Sequence, residues 1–336
     1  MGVLILVIGI SILVIQLYRF QSEIISLPDS GRTFVIIPGS NIKTIAHQLS
    51  LEKIIDDPWL FILLARVKGV ETKVRAGEYR LQQDQSALDL LDTFTKGHSI
   101  QYSLSIIEGW SFREMIHEMQ KHPVITNQLR GKSDAEIMAT IGYPGQHPEG
   151  LFFPDTYRFP RGTTDIQFLQ RAYRLMQNYL QREWDNRAPD LPIASSYEAL
   201  ILASIIEKET GVAHERPLIA AVFIQRLKKG MRLQTDPTII YGLGESFDGN
   251  IRARDLKKDT PYNTYLHKGL TPTPIALPGL EAIRAALHPA DNDALYFVSR
   301  GDGTHHFSKT LKEHNKAVVK YQLKGRKNRR KISSES

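Results

Sequence analysis

The stretch LILASIIEKETGVAHER, residues 200–216, closes an apolar run on the charged triplet Glu207-Lys208-Glu209. Two carboxylates at the end of a buried-looking helix suggest acid–base chemistry, provided that they can act. Each helical residue turns the chain by about 100°. Glu209 therefore shares a side with Leu202, Ile205 and Ile206, whereas Glu207 points roughly 160° away, over Leu200 and Ala203. The two acids cannot form a catalytic pair with each other. Glu209 has the surroundings of a general acid: it sits in the last helical turn, where the partial negative charge disfavours a carboxylate. Burial against an apolar stripe raises its pKa as well, and a carboxyl protonated near neutral pH is what proton donation requires. The alternative is a solvated end-of-helix acid paired with Lys208 or Arg216.

The elements around the triplet follow from local signals. Ser195 and Glu198 form a Ser-x-x-Glu capping box, and Gly211 fits a helix stop. Between them Ala199–Ala203, Ile205 and Ile206 make the helix apolar on nearly every side, the mark of a buried element. A second helix is predicted from Glu215 to Lys229, with Pro217 in its first turn and Gly230 after its last. Thr235-Asp236-Pro237 reads as a turn, followed by a short β-branched strand to Gly242. Residues 260–279, TPYNTYLHKGLTPTPIALPG, hold four prolines and several rings and read as an irregular aromatic loop, a usual wall for a binding groove. Tyr and Asn suit sugars there, offering a ring face for stacking and an amide for hydroxyls.

The whole chain has 336 residues, 42% hydrophobic and 24% charged, which is enough for two or more compact units. It has no cysteine, so disulfide scaffolds and Cys-based metal or redox sites are excluded. Most of the net charge of +7 lies in the tail, where Lys320, Lys324, Arg326, Lys327, Arg329, Arg330 and Lys331 face one acid, Glu335. A nucleic-acid-binding body should carry its basic stripe on the fold itself, so no nucleic-acid partner is expected. The tail, 323–336, reads as disordered and solvated, with anionic lipid or wall polymer as the alternative contact. His305 and His306 are adjacent, and no His-Glu-x-x-His run or Gly-rich phosphate loop occurs, so no metal, nucleotide or other cofactor is expected. His214, His267, His288 and His314 read as ordinary polar residues.

Residues 2–18, GVLILVIGISILVIQLY, carry no charge and end on Tyr18-Arg19, an interfacial pattern. Without a basic lead or a small-x-small cleavage site, the segment reads as an uncleaved anchor. Its orientation is not legible from the flanking charges, because Arg19, Glu23, Asp29 and Arg32 are mixed in sign.

Two segments echo each other without a gap: IIPGSNIKTIAHQL (36–49) and IIEGWSFREMIHEM (106–119), in which Gly39 matches Gly109. A second echo, EYRLQQDQSALDLL (78–91) and TYRFPRGTTDIQFL (156–169), follows in the same order. Both describe strand, turn and amphipathic helix, with Ser111 and Glu114 adding a capping box. The pattern suggests two related α/β units. The first resembles a LysM-type module, a βααβ unit whose family role is binding N-acetylglucosamine-containing wall glycan.

ASIIEKET, RLKKGMRLQTDPTIIYGLG, PYNTYLHKGL and HPADNDALYFVSRGDGTHHFSKTLKEHNKAV resemble the endolytic murein transglycosylase, or YceG-like, family over residues 1 to about 322. The resemblance implies an α+β fold: a transmembrane anchor (1–20), a LysM-like glycan-binding unit (21–105), a second related α/β unit (106–190) and a mixed α+β catalytic domain (191–322). It implies a lytic transglycosylase that cleaves the MurNAc-β-1,4-GlcNAc bond within nascent peptidoglycan strands. The product carries a 1,6-anhydroMurNAc end, and the cut terminates glycan polymerisation. The catalytic acid carries over to Glu209, the second acid of the triplet. Gln234, Tyr262 and Asn263 fall in matching motifs and are expected as groove contacts or polar stabilisers of the transition state. Expected partners are peptidoglycan strands, the membrane through the N-terminal helix and penicillin-binding synthases. The implied location is the inner (cytoplasmic) membrane, single-pass, with the catalytic domain on the periplasmic or extracytoplasmic side. The usual basic start and a counterpart for the Arg/Lys tail are missing. Two other readings remain: a lysozyme-like hydrolase with Asp236 or Asp255 as partner carboxylate, and a non-catalytic LysM-like wall-binding scaffold.

Overall fold

A computed structural model describes residues 2–25 and 31–323, so residues 324–336 of the basic tail lie outside the described residues. The protein is α+β and divides into two compact units. One comprises Met1–Leu104, His122–Asn127 and Tyr157–Thr164; the other comprises Ser105–Lys121, Gln128–Thr156 and Asp165–Ser336.

The first unit begins with α1 (Gly2–Ser22), long and apolar enough to cross a membrane. Most of α1 is exposed, but Phe20 is buried and Leu17 packs against the unit's core. Strand β1 (Ile24–Ile25) pairs antiparallel with β4 (Gln85–Ser86), and β2 (Thr33–Ile36) with β3 (Gly77–Arg80). Period-2 alternation turns Phe34 and Ile36 inward. Helices α2 (Ile42–Leu51), α3 (Pro58–Val67) and α4 (Ala87–Thr95) are each capped by a short polar side chain, from Asn41, Asp57 and Ser86. Phe94 stacks on Phe34 at 5.4 Å and meets Tyr79 edge-on at 5.2 Å, filling the centre. Strands β5 (Gln101–Ser105) and β6 (Thr156–Pro160) also pair.

The first members of both echoes are strand, turn and helix: β2 leads to α2, and β5 leads to α5 (Phe112–Lys121). The matched glycines Gly39 and Gly109 both have positive φ, 86° and 80°, a conformation that costs a residue with a Cβ about 1–2 kcal/mol. The second members follow suit, β3 before α4 and β6 before α7 (Asp165–Asp185), and the strand pairing β2–β3 recurs as β5–β6.

The second unit is built around α8 (Ser196–Glu209), whose residues Ala199–Ile206 are all buried. It packs against α7, α9 (Arg216–Lys228), α10 (Asp236–Leu243) and α11 (Leu280–Leu287). Burying each Leu or Ile of α8 contributes about 1.5–3 kcal/mol, so the helix is a rigid base for what its end carries. Helix α6 (Asp134–Thr140), the hairpin β7 (Tyr296–Ser299) with β8 (His305–Ser308), and α12 (Leu311–Val318) complete the unit.

Three local expectations are corrected. Residues 236–243 are helix α10, not a strand: Pro237 occupies the first turn, where its fixed φ and missing N–H favour a helix start over the β-branched run that follows. Gly211 does not stop α8 in a left-handed conformation. Thr210 stops it by turning extended (φ −147°, ψ 135°), and its hydroxyl accepts from Val212 N at 3.0 Å. Ser195 caps α8 through Glu198 N, but the Glu198 carboxylate reaches back to Ala194 N at 2.6 Å, so the box is displaced by one residue.

Candidate active site

Glu209 is the last residue of α8, where the chain turns away and leaves the side chain facing a cavity of about 520 Å³. The two acids of the triplet diverge as the helical arithmetic requires. Glu207 pairs with Arg216 at 3.2 Å and accepts from Gly279 N at 2.9 Å, a structural role. Lys208 donates to Gly109 O at 3.0 Å, so neither Lys208 nor Arg216 is the partner of Glu209. Glu209 is bound instead by the Thr235 hydroxyl, which donates to its Oε1. Protein atoms surround the carboxyl on all sides but the cavity mouth, and this burial pushes its pKa up. The Thr235 hydrogen bond pulls the other way, while the nearby Asp236 carboxylate adds to the rise.

Thr235 is placed by a threonine cluster. Its amide donates to Thr264 Oγ1 at 3.1 Å, and Thr238 Oγ1 donates to Thr235 O at 2.8 Å while sharing a 2.8 Å bond with Thr264. Next to it Gln234 adopts φ 51°, unusual for a side chain of its size, and its amide is held by Thr264 O at 3.1 Å. The strained turn sets Gln234 into the cavity wall beside Glu209.

Sequence reasoning missed most of the remaining wall. Arg226 of α9 lines it, anchored to Leu295 O at 2.7 Å and Leu233 O at 2.5 Å. Tyr265 donates to Asp236 Oδ1 at 2.6 Å, and both line the cavity. His305 and Tyr296, from the hairpin, and His314, from α12, close the far side. The signal for His305 lies in GDGTHHFS, a glycine-flanked hairpin turn inside a motif that carries the family resemblance, but spacing along the chain does not show that this histidine reaches the cavity. Among the described residues no group of three or more His, Asp or Glu has the geometry to hold a metal ion.

Tyr262 and Asn263 lie in the 260–279 loop but outside this cavity wall. Asn263 is fully buried: its amide donates to Leu256 O and Lys258 O, at 3.2 and 2.7 Å, and its oxygen accepts from Tyr265 N at 2.9 Å. Its capacity is thus spent on shaping the loop that presents Tyr265. The Tyr262 hydroxyl bonds Thr273 at 2.9 Å, and its ring meets Tyr241 edge-on at 4.8 Å. Ser204, buried on α8, accepts from Ile275 N at 3.0 Å and pins the same loop to the central helix. Of the two acids considered as partner carboxylates, Asp236 lines the cavity. Asp255, in the turn Asp255–Lys257, instead accepts from Arg252 N at 2.8 Å.

An α+β chain with an apolar N-terminal helix and an acid whose pKa desolvation raises, in a polar, aromatic cavity, has the makings of a glycan-cleaving enzyme. The chain belongs to the YceG-like family, whose model matches residues 34–320. A Bacillus subtilis (strain 168) protein named endolytic murein transglycosylase is 32% identical over 300 residues, covering 84% of this chain and 82% of that protein. A protein of the same name from Streptococcus pneumoniae serotype 2 (strain D39 / NCTC 7466) is 28% identical over 323 residues, and the match spans 86% of this chain but 58% of that protein. The crystal structure of a yceG-like protein from Listeria monocytogenes superposes with a TM-score of 0.52 at 30% identity, covering 86% of this chain and all of that one.

Proposed function

We propose that the protein is a membrane-anchored endolytic peptidoglycan lytic transglycosylase. It cleaves MurNAc-β-1,4-GlcNAc bonds within nascent strands and leaves 1,6-anhydroMurNAc ends, which stops strand growth. Helix α1 tethers it to the cytoplasmic membrane with the catalytic unit on the extracytoplasmic side, next to penicillin-binding synthases. The observation that carries the reading is Glu209: a carboxyl whose pKa burial raises, facing a cavity and making no salt bridge among the described residues. Such an acid is suited to protonating the leaving O4. The C6 hydroxyl of the substrate is the nucleophile, so no second carboxylate is needed to activate water. After donating its proton, Glu209 is a carboxylate able to accept one from that hydroxyl. Gln234 and Arg226 line the approach to it.

The test is Glu209→Gln in the full chain, incubated with uncrosslinked glycan strands and read by mass spectrometry. Anhydro-ended fragments should vanish while the fold stays intact; wild-type yield from the variant would defeat the assignment. One observation favours a second reading, hydrolysis: Asp236 lines the same cavity and is exposed. Two carboxylates flanking a bond can activate water. Hydrolysis gives products one water heavier than anhydro ends, so the same spectra decide.

A further inference from the structure

Building on the transglycosylase reading, we propose that His305, clamped by the buried Glu215, is a second catalytic residue, whose Nε2 accepts a hydrogen bond from the substrate's 2-acetamido N–H. Glu215 ends the short 3₁₀ turn Ala213–Glu215 and is 3% exposed. Both its oxygens are aimed at one residue, accepting from His305 N at 2.8 Å and bonding His305 Nδ1 at 2.7 Å. A carboxylate only accepts, so Nδ1 carries the proton, and when the ring is neutral its Nε2 is a lone-pair acceptor. Nε2 has no hydrogen-bond partner among the described residues. The ring stands edge-on to Phe297 at 5.4 Å, which fixes its plane, and His305 lines the cavity that holds Glu209. Arg226 and Asp236 are the other charged groups of that wall.

The stereochemistry of the reaction gives this pair a task. The leaving O4 departs from the β face of C1, and the 1,6-anhydro ring places O6 on that same face. Net retention requires two displacements, hence a nucleophile on the opposite face in between. The sugar carries one, its acetamido oxygen. In the first step the C1–O4 bond breaks, O4 takes the Glu209 proton, and the acetamido oxygen bonds C1, leaving positive charge on the oxazolinium. In the second step O6 bonds C1, the C1–acetamido bond breaks, and the O6 proton goes to Glu209. The acetamido N–H becomes strongly acidic between the steps. An imidazole acceptor with a buried carboxylate behind it stabilises that charge where it develops.

The test compares the full-length wild type, His305→Gln and Glu215→Gln in detergent. On uncrosslinked glycan, His305→Gln should lower kcat for anhydro-end release by about 100–1,000-fold with little change in KM. Glu215→Gln, which keeps an acceptor oxygen and drops the charge, should lie between it and wild type. Near-UV circular dichroism identifies a misfolded variant, and Glu215→Gln then carries the test. A thiazoline analogue of N-acetylmuramic acid, a stable mimic of the bicyclic intermediate, should bind wild type more tightly than the parent sugar, and His305→Gln should lose that preference. An unchanged kcat in both variants, or a thiazoline preference that survives His305→Gln, would overturn the proposal. If wild type releases no anhydro ends, the transglycosylase reading fails, and the thiazoline comparison still decides whether His305 recognises the acetamido group.

Discussion

The buried carboxyl of Glu149 should make the stability of the second unit fall as pH rises, and Glu149→Gln should remove its share of that fall. Glu149 is 4% exposed and accepts from Phe112 N at 2.8 Å, at the start of α5, and from the Tyr241 hydroxyl at 3.2 Å, on α10. Burial raises its pKa from 4.5 to about 7, against the pull of those hydrogen bonds. A carboxyl with a raised native pKa holds its proton more tightly folded than unfolded. Stability is therefore highest at acid pH, declines as pH rises from the unfolded value through the folded one, and is flat above. Between about pH 5 and about pH 8 the loss comes to about 2.5 kcal/mol. The glutamine amide can still accept from Phe112 N and donate to the Tyr241 oxygen, so the variant keeps the contacts and lacks the titration. The assay is thermal unfolding of both proteins across that range, following the transition of the unit that holds Glu149. The difference between their midpoints should change by about 5–10 °C from the acid to the alkaline end, at 2–4 °C per kcal/mol for a unit of this size. Parallel curves for the two proteins would mean that the carboxyl titrates at an ordinary value, and the desolvation reasoning would be wrong. The same reasoning would then lose its footing at Glu209.

Other expectations follow from the site and its supports. Thr235→Val removes the hydroxyl that steadies the Glu209 carboxylate, so the alkaline limb of the activity–pH profile should move to higher pH, at a stability cost of about 1 kcal/mol. Glu207→Gln leaves the nearly buried Arg216 facing only the half-exposed Glu108, at 3.8 Å, and should destabilise by about 3 kcal/mol while kcat per folded molecule stays the same. Gln234→Gly relieves a left-handed backbone and should raise the unfolding free energy by up to about 1 kcal/mol while weakening glycan binding, read as a higher KM. Glu209→Gln should itself make the unit more stable than wild type at alkaline pH, because it removes a charge that desolvation disfavours, read as a higher unfolding midpoint.

What the sequence made legible is what local physics decides. The helix from Ser195 to the Glu-Lys-Glu triplet could be read because its residues are apolar on every side and a cap marks its start, and the opposed directions of Glu207 and Glu209 follow from helical rotation alone. The strand–turn–helix echoes were legible because glycine at 39 and 109 permits the same left-handed turn. Residues 236–243 were misread because Thr238-Ile239-Ile240 favours a strand by propensity, whereas Pro237 and the burial of Thr238 and Ile239 favour a helix, and packing prevailed. Beyond Glu209, Gln234 and Asp236, the composition of the cavity was not legible. Arg226, Tyr265, His305 and His314 come from four separate elements, and no spacing along the chain reports which of them meet. Asn263 illustrates the converse. Its type suits a sugar, but a fully buried amide whose hydrogen bonds all go to backbone has nothing left to offer a ligand.

The acid is set by one rigid helix, whereas the groups that differentiate its chemistry arrive on loops and a hairpin. Glu209 ends α8, whose burial leaves it almost no freedom, and Thr235 reaches it from a strained turn. His305 comes from the first residue of β8, fixed by a carboxylate that belongs to the approach to α9. Moving the hairpin would therefore remove His305 from the cavity without disturbing the acid, and moving Thr235 would retune the acid without disturbing His305. The two perturbations should separate in kinetics: Thr235→Val acts on the pH profile, and His305→Gln acts on kcat at every pH. A chain in which both variants shifted the same limb by the same amount would have one proton-handling group rather than an acid and a separate acceptor.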